Sequence, residues 1–227
     1  MKAGNADYLT PADIPSVIPV FPLSGALLLP GGQMPLNIFE PRYRAMVDDA
    51  LGANRLIGMV QPRSAIGADA LADGPTGPAL CELGCLGRIT AFQESGDGRY
   101  LINLAGVARY RILDEELTAK GYRRARVEVM AGDLAEDDNG KSVDRGSLLE
   151  TFRKYLKANN MEADWDSIKR ASNGSLVTAL CMMSPYGPAE KQALLEACDL
   201  RTRAETLIAI TEIALARGSD EPGSRIQ

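Results

Sequence analysis

The spacing of apolar residues changes near residue 131. Before it they come in short runs broken by Gly and Pro; after it they recur every three to four residues. The first pattern predicts strands and the second predicts helices. Val17–Pro22 is short, β-branched and punctuated by Pro, which predicts an edge strand. Residues 27–29 (three leucines) and the turn Pro30-Gly31-Gly32 follow, then an extended piece over 34–39. Pro41 opens a helix, because its missing N–H breaks no bond at the first helical position. Glu40 is placed to accept from the free amides there, and Tyr43, Met46, Val47, Ala50 and Leu51 give the helix one apolar face. Leu56–Val60 is a further strand. Residues 86–94, the turn 95–98 and residues 99–104 carry a hairpin signature, and after Gly106 residues 107–113 continue as strand. Over 123–130, Ala125, Val127 and Val129 alternate with Arg124, Arg126 and Glu128, as in a half-buried strand. Many short strands with Gly turns predict a small barrel, closed or nearly so.

The run 132–139 is acidic and has no apolar period, so the boundary between the two patterns is placed there. Beyond it, Ser147 caps a helix with the face Leu148, Leu149, Phe152, Tyr155 and Leu156. Trp165 and Ile168 mark a short helix. Asn173 or Ser175 opens another, carrying Leu176, Val177, Leu180 and Cys181 and ending before Pro185. Pro188 starts the next, with Leu194 and Leu195. Thr202 and Glu205 form a capping box for the last helix, which Gly218 stops. The expected fold class is α+β. A β-barrel domain spans 1–131, an acidic linker 132–146, a helical bundle 147–218 and a flexible tail 219–227. Residues 62–78, rich in Gly, Ala, Asp and Pro, are expected as a long mobile loop.

Composition narrows the chemistry. The 227 residues are 45% hydrophobic and 24% charged, the balance of an ordinary globular protein. The net charge of −5 gives no broad basic footprint for nucleic acid. The chain has no His, which excludes Ser-His-Asp and Cys-His catalysis and His-ligated zinc. Cys81, Cys85, Cys181 and Cys198 lie in apolar stretches with poor spacing for zinc, so they read as reduced core thiols. Residues 1–20 lack a secretory pattern and the longest apolar run, 179–183, is far too short to span a membrane. A cytoplasmic location is therefore expected. Gly140-Lys141-Ser142 imitates the end of a phosphate-binding loop, but Ala135 stands where the first Gly is needed, and Asp137 and Asp138 would repel phosphate. Glu115-Glu116 and Asp48-Asp49 read as solvated faces. No catalytic, cofactor or metal site is expected.

Four arginines remain. Arg109 and Arg111 share parity on one strand, and Arg124 and Arg126 on a later one. If the strands are neighbours, the four form a candidate anion or RNA face, since guanidinium pairs with phosphate bidentately. The nearby Glu115, Glu116 and Glu128 favour a neutralised outer face instead.

Three stretches together resemble the N-terminal, substrate-binding domain of the Lon ATP-dependent proteases. The first is Ile-Pro-Val-Phe-Pro-Leu at 18–23, with Phe21 and Pro22, running on to Pro35, Leu36, Asn37, Ile38, Phe39, Glu40, Pro41, Arg42 and Tyr43. The second is 80–89, Asp97-Gly98-Arg99 and 106–112; the third is 190–196, Asp199-Leu200 and Arg203. The resemblance implies a pseudouridine-synthase-and-archaeosine-like (PUA-like) barrel, then a helical bundle. It also implies a part in recognising protein substrates. The family's ATPase and Ser-Lys protease modules have no counterpart in these residues, so proteolytic activity does not carry over. The expectation is a free-standing, non-catalytic module for unfolded or partly unfolded polypeptide, partnered with a protease and not with membrane; nucleic acid is the alternative. Docking is expected near the barrel–bundle junction and two mobile loops, 23–32 and 63–79. Within the motif, Phe21, Leu36, Ile38 and Phe39 are expected in the core, Glu40 and Arg42 at the helix entry, and Tyr43 beneath it.

Overall fold

A computed structural model describes residues 1–67, 77–135 and 142–219. Its strands are β1 (Lys2–Ala3), β2 (Ala6–Asp7), β3 (Val17–Pro22), β4 (Gln33–Ile38), β5 (Leu56–Val60), β6 (Leu83–Glu94), β7 (Tyr100–Leu117) and β8 (Arg123–Val129). Helix α1 (Pro41–Leu51) lies between β4 and β5. After β8 come α2 (Arg145–Ala158), α3 (Trp165–Arg170), α4 (Asn173–Met183), α5 (Pro188–Glu196) and α6 (Leu200–Ser219). The protein is thus α+β, strands first and helices after.

The main sheet runs β4-β7-β6-β5-β3-β8, and β8 also pairs with β7, which closes a ring of β7, β6, β5, β3 and β8. The 18-residue β7 makes this possible. Its first part lies between β4 and β6, its middle continues along β6, and from Tyr110 it pairs with β8. Beyond the ring, β4 and the adjoining ends of β6 and β7 form a three-stranded flap whose inner face packs on the core through Ile38, Ile89, Ile102 and Leu104. The structure corrects two expectations here. β3 is not an edge strand, because it pairs in parallel with β5 and antiparallel with β8. Gly106 does not interrupt the strand. The pairing with β6 shifts register beside it, and its missing side chain lets β7 approach the 27–29 segment, where a Cβ would overlap the Leu29 carbonyl oxygen.

That contact explains a third correction. Residues 23–32 are not a mobile loop. Leu27, Leu28 and Leu29 are buried, and Gly31 and Gly32 exchange main-chain hydrogen bonds with Gly106 at 3.0 and 2.9 Å. Of the other expected loop, Pro62 bridges to Leu80 and residues 63–66 make one helical turn; residues 68–76 lie outside the described set. The acidic run begins as another turn, Ala131–Leu134, while 136–141 and the tail from 220 lie outside the description. The Gly140-Lys141 pair falls in that gap.

Two apolar clusters hold the molecule. One fills the ring with Ile18, Val20, Leu86, Val107, Tyr110 and Ala125. Tyr110 lies across Gly84, whose virtual Cβ would come within 2.5 Å of its ring, and its hydroxyl donates to the Met59 carbonyl at 3.2 Å. The other runs continuously from Leu29, Ile38, Met46 and Leu104 into Val177, Cys181 and Leu194 of the helices. The helix caps also differ from expectation. Asp144, not Ser147, caps α2, and Ser172 caps α4. At α6 the Thr202 amide donates to Asp199 at 2.7 Å, and Glu205 pairs with Arg201. Each observed cap lies three residues before the amide it satisfies, and the sequence offers several Ser, Thr and Asp residues at such spacing.

Cys81, Cys85 and Cys181 are buried as expected of core thiols, but Cys198 is exposed in the turn before α6. Burial pushes the Cys85 thiol far up and the Cys181 thiol up to about 12. One thiol equivalent is therefore expected to react with a disulfide reagent such as DTNB in the native protein, and all four after denaturation. Fast native reaction of two or more would contradict this packing.

Candidate functional site

The Pro35–Tyr43 motif is the passage from β4 into α1. Pro35 is exposed on β4, Leu36 is half-buried and Ile38 is 1% exposed. Phe39, expected in the core, is 64% exposed. The chain turns from strand to helix at that point, so the alternation that buries Ile38 sets its neighbour outward. Pro41 is the first helical residue. The Glu40 carboxylate does not cap the amides. It accepts from Arg42 Nε at 2.9 Å, while the Glu40 carbonyl takes the Tyr43 and Arg44 amides. Arg42 lies 4.5 Å from the centre of the Tyr43 ring, and that ring packs tilted on Phe21 at 4.4 Å. Pro22 ends β3 beside them, opposite Val60 of β5. The motif therefore builds the strand–helix corner and leaves one aromatic ring outside it.

Two hairpin tips grip α1. Arg44 donates to the Gly98 carbonyl at 2.7 Å on one side. On the other, Asp49 accepts from Lys120 at 2.6 Å and from the Tyr122 hydroxyl at 2.8 Å. Asp49 is thus a tether, not a free surface charge. Burial, then the bond to Asp49, pushes the Tyr122 phenol from 10.0 up to about 12. Folding stability from this group is complete below pH 10 and is lost as pH rises through about 12, because the unfolded phenol ionises first. Lys120 and Tyr122 hold the Asp49 carboxyl below its usual value, so its contribution is lost at acid pH as it protonates. Asp49→Asn is expected to move the Tyr122 transition to lower pH, read as tyrosinate absorbance in a difference titration against the parent.

The four candidate arginines do not form an open cationic face. Arg109 is 4% exposed. Its Nε and Nη2 donate to the two Asp133 oxygens at 2.9 Å each, and its remaining donors reach the carbonyls of Leu195, Ala197 and Cys198. Arg111 pairs with Glu82 and stands opposite Glu128; Arg124 pairs with Glu116, and Arg126 stands opposite Asp114. The register shift between Ile112 and Asp114 sets these acids beside the arginines. Carboxylates thus pair with the Arg111 and Arg124 guanidiniums, Arg126 has an acid opposite it in register, and Arg109 is a structural rivet.

Around that rivet the helices are stitched to the barrel. Arg203 donates from Nε to the Leu194 carbonyl at 2.9 Å and also reaches Ala197. Burial, then the nearby Arg109, holds the Arg203 guanidinium below its usual value. The two arginines satisfy the last carbonyls of α5, which no helical amide can reach. At the other end of α5, Gln61 accepts from the Gly25 amide at 3.0 Å and donates to the Pro188 carbonyl at 2.9 Å. Gln192 reaches the Leu83 carbonyl, and Lys191 reaches the Gly25 carbonyl. The expected junction is therefore a bonded seam.

What faces outward is the flap. Phe92 (38% exposed) meets Tyr100 edge-on at 5.0 Å. On the opposite face Leu101 (43% exposed) stands between Asn37 and Gln93. With Phe39 just past the end of β4, these are exposed large apolar side chains on and beside the flap; Leu9 and Met183 are exposed elsewhere. Sequence reasoning missed the flap residues because a hairpin end alternates like any buried strand. A shallow groove lined by Pro11, Pro15, Leu113, Val127 and Val129 is a second apolar surface, next to β8.

Comparisons with known proteins place this arrangement. The family model of the ATP-dependent protease La (LON) substrate-binding domain matches residues 17–212. Lon protease 2 of Sorangium cellulosum is 28% identical over all of this chain, and Lon protease 2 of Myxococcus xanthus is 27% identical over 86% of it. The chain spans 29% and 23% of those proteins. The fold is also that of a Lon N-terminal domain protein from Xanthomonas campestris, with a TM-score of 0.57 and 23% identity, covering 85% of this chain and 97% of that one. The N-terminal domain of Mycobacterium avium complex Lon protease gives 0.61 and 18%, covering 86% and 98%. Among the described residues no helix is long and apolar enough to cross a membrane. With the family model matched from β3 into α6, the chain belongs to the substrate-binding domain family of the Lon ATP-dependent proteases.

Proposed function

We propose that this chain binds unfolded polypeptide segments without cleaving them, and that the flap is where it does so. The observation that carries the reading is the exposure of Leu101 and Phe92 on the two faces of the flap and of Phe39 at its end, in a substrate-binding-domain fold. Rings and aliphatic chains held out by a rigid scaffold are the anchors that peptide recognition uses. The bonded seam supports this reading, since a scaffold that does not flex holds its anchors in place without further ordering cost. The neutralised arginines argue against RNA, which would need unpaired positive charge.

The test is fluorescence anisotropy with labelled, reduced and carboxymethylated α-lactalbumin, which cannot refold. Saturable binding is expected for the parent. Phe39→Ser combined with Leu101→Ser is expected to weaken it about tenfold at unchanged thermal midpoint, as loss of two anchors would. A parent that shows no saturable binding overturns the reading.

A further inference from the structure

Among the described residues the flap ends in an unpaired sheet edge: β4 pairs with β7 alone, in the register Gln33↔Ala105 through Ile38↔Tyr100. One bond fixes which main-chain groups face outward: the Gly106 amide donates to the Gly32 carbonyl at 2.9 Å. Antiparallel pairs alternate between bonded and non-bonded positions. Hence Met34, Leu36 and Ile38 turn their main-chain groups toward β7, and Gln33, Pro35 and Asn37 turn theirs away. Pro35 fits this assignment, because its missing N–H breaks no ladder bond on the outward side. The open edge therefore presents the amides of Gln33 and Asn37 and the carbonyls of Gln33, Pro35 and Asn37. All three of these residues are exposed.

Natural sheet edges are blocked by charge, proline, a bulge, short length or a covering element. This edge carries no charged side chain from Gln33 to Ile38. Pro35 is its single guard, and Phe39 stands exposed at its end. Resting on the binding reading above, we infer that substrate polypeptide docks as an added strand along β4. The occupant is an extended, uncharged segment with apolar residues at alternate positions, which would lie beside the half-buried Met34 and Leu36. A second copy of the chain fits less well. Six residues give an edge of about 20 Å, which buries far less than the roughly 1,200 Å² of a stable protein–protein interface. Such a contact suits a segment held briefly.

The experiment uses the same α-lactalbumin probe on the full chain. Asn37→Pro removes one outward amide, whereas Asn37→Ala keeps it. The edge model expects the proline variant to bind at least about tenfold more weakly than the alanine variant, which keeps the amide. In the parent, the probe is expected to slow hydrogen exchange at the Gln33 and Asn37 amides, a readout that does not depend on the variant folding. If the parent binds but those amides exchange unchanged, or the proline variant binds equally, strand addition is overturned while polypeptide binding stands. If the parent does not bind, both fall. Protection of the same amides without probe, rising with protein concentration, would overturn the polypeptide occupant in favour of a second copy.

Discussion

Methionine in place of Arg109 is expected to lower folding stability by about 3–5 kcal/mol, the cost of breaking a buried ion pair from one side. The substitution leaves the Asp133 carboxylate in a largely buried site with only the Arg109 main-chain amide to donate to it. It also leaves the carbonyls of Leu195, Ala197 and Cys198 without the guanidinium that satisfied them. Urea unfolding followed by far-UV circular dichroism gives the difference directly. Adding Asp133→Leu is expected to recover part of the loss and not all, because the unpaired carboxylate goes but the Leu195 and Cys198 carbonyls still lack the guanidinium, while Ala197 keeps Arg203. A single-variant loss below about 1 kcal/mol would mean that the pair behaves like a surface ion pair.

Alanine at Gly106 is expected to cost about 3 kcal/mol, at the upper end for overpacking. The added methyl would overlap the Leu29 carbonyl oxygen, which is backbone and has no rotamer to change. Retreat of the 27–29 segment would draw Leu28 and Leu29 out of the core they fill. Gly132→Ala serves as the control. Its added methyl meets nothing within 4 Å, and surface changes of this kind stay within about 0.5 kcal/mol. Equal urea midpoints for the two variants would contradict the close approach.

The strand-then-helix order was legible because the two periods differ. The start and buried face of α1 were legible, at Pro41 and at Tyr43, Met46, Val47 and Ala50, but the role of Glu40 was not. β3 was misread as an edge because its partners, β5 and β8, lie far along the chain and proline reports only local cost. Arg109 was misread as surface because strand parity reports a face, not what covers it. Here Ala131–Leu134 and the end of α5 cover it. Phe39 was misread for the converse reason, since an apolar ring in a specific motif looks like core until the corner it stands on is seen. The open edge of β4 left no compositional trace, because pairing is a property of the neighbours.

The seam at Arg109 has a consequence for synthesis. The barrel strands leave the ribosome well before the residues that meet that guanidinium from α5. A nascent chain stopped before residue 195 leaves the Arg109 guanidinium paired with Asp133 and otherwise open to water, beside an apolar barrel end with its helical cover incomplete. Premature termination therefore yields a sticky fragment, a natural client for the cell's quality control.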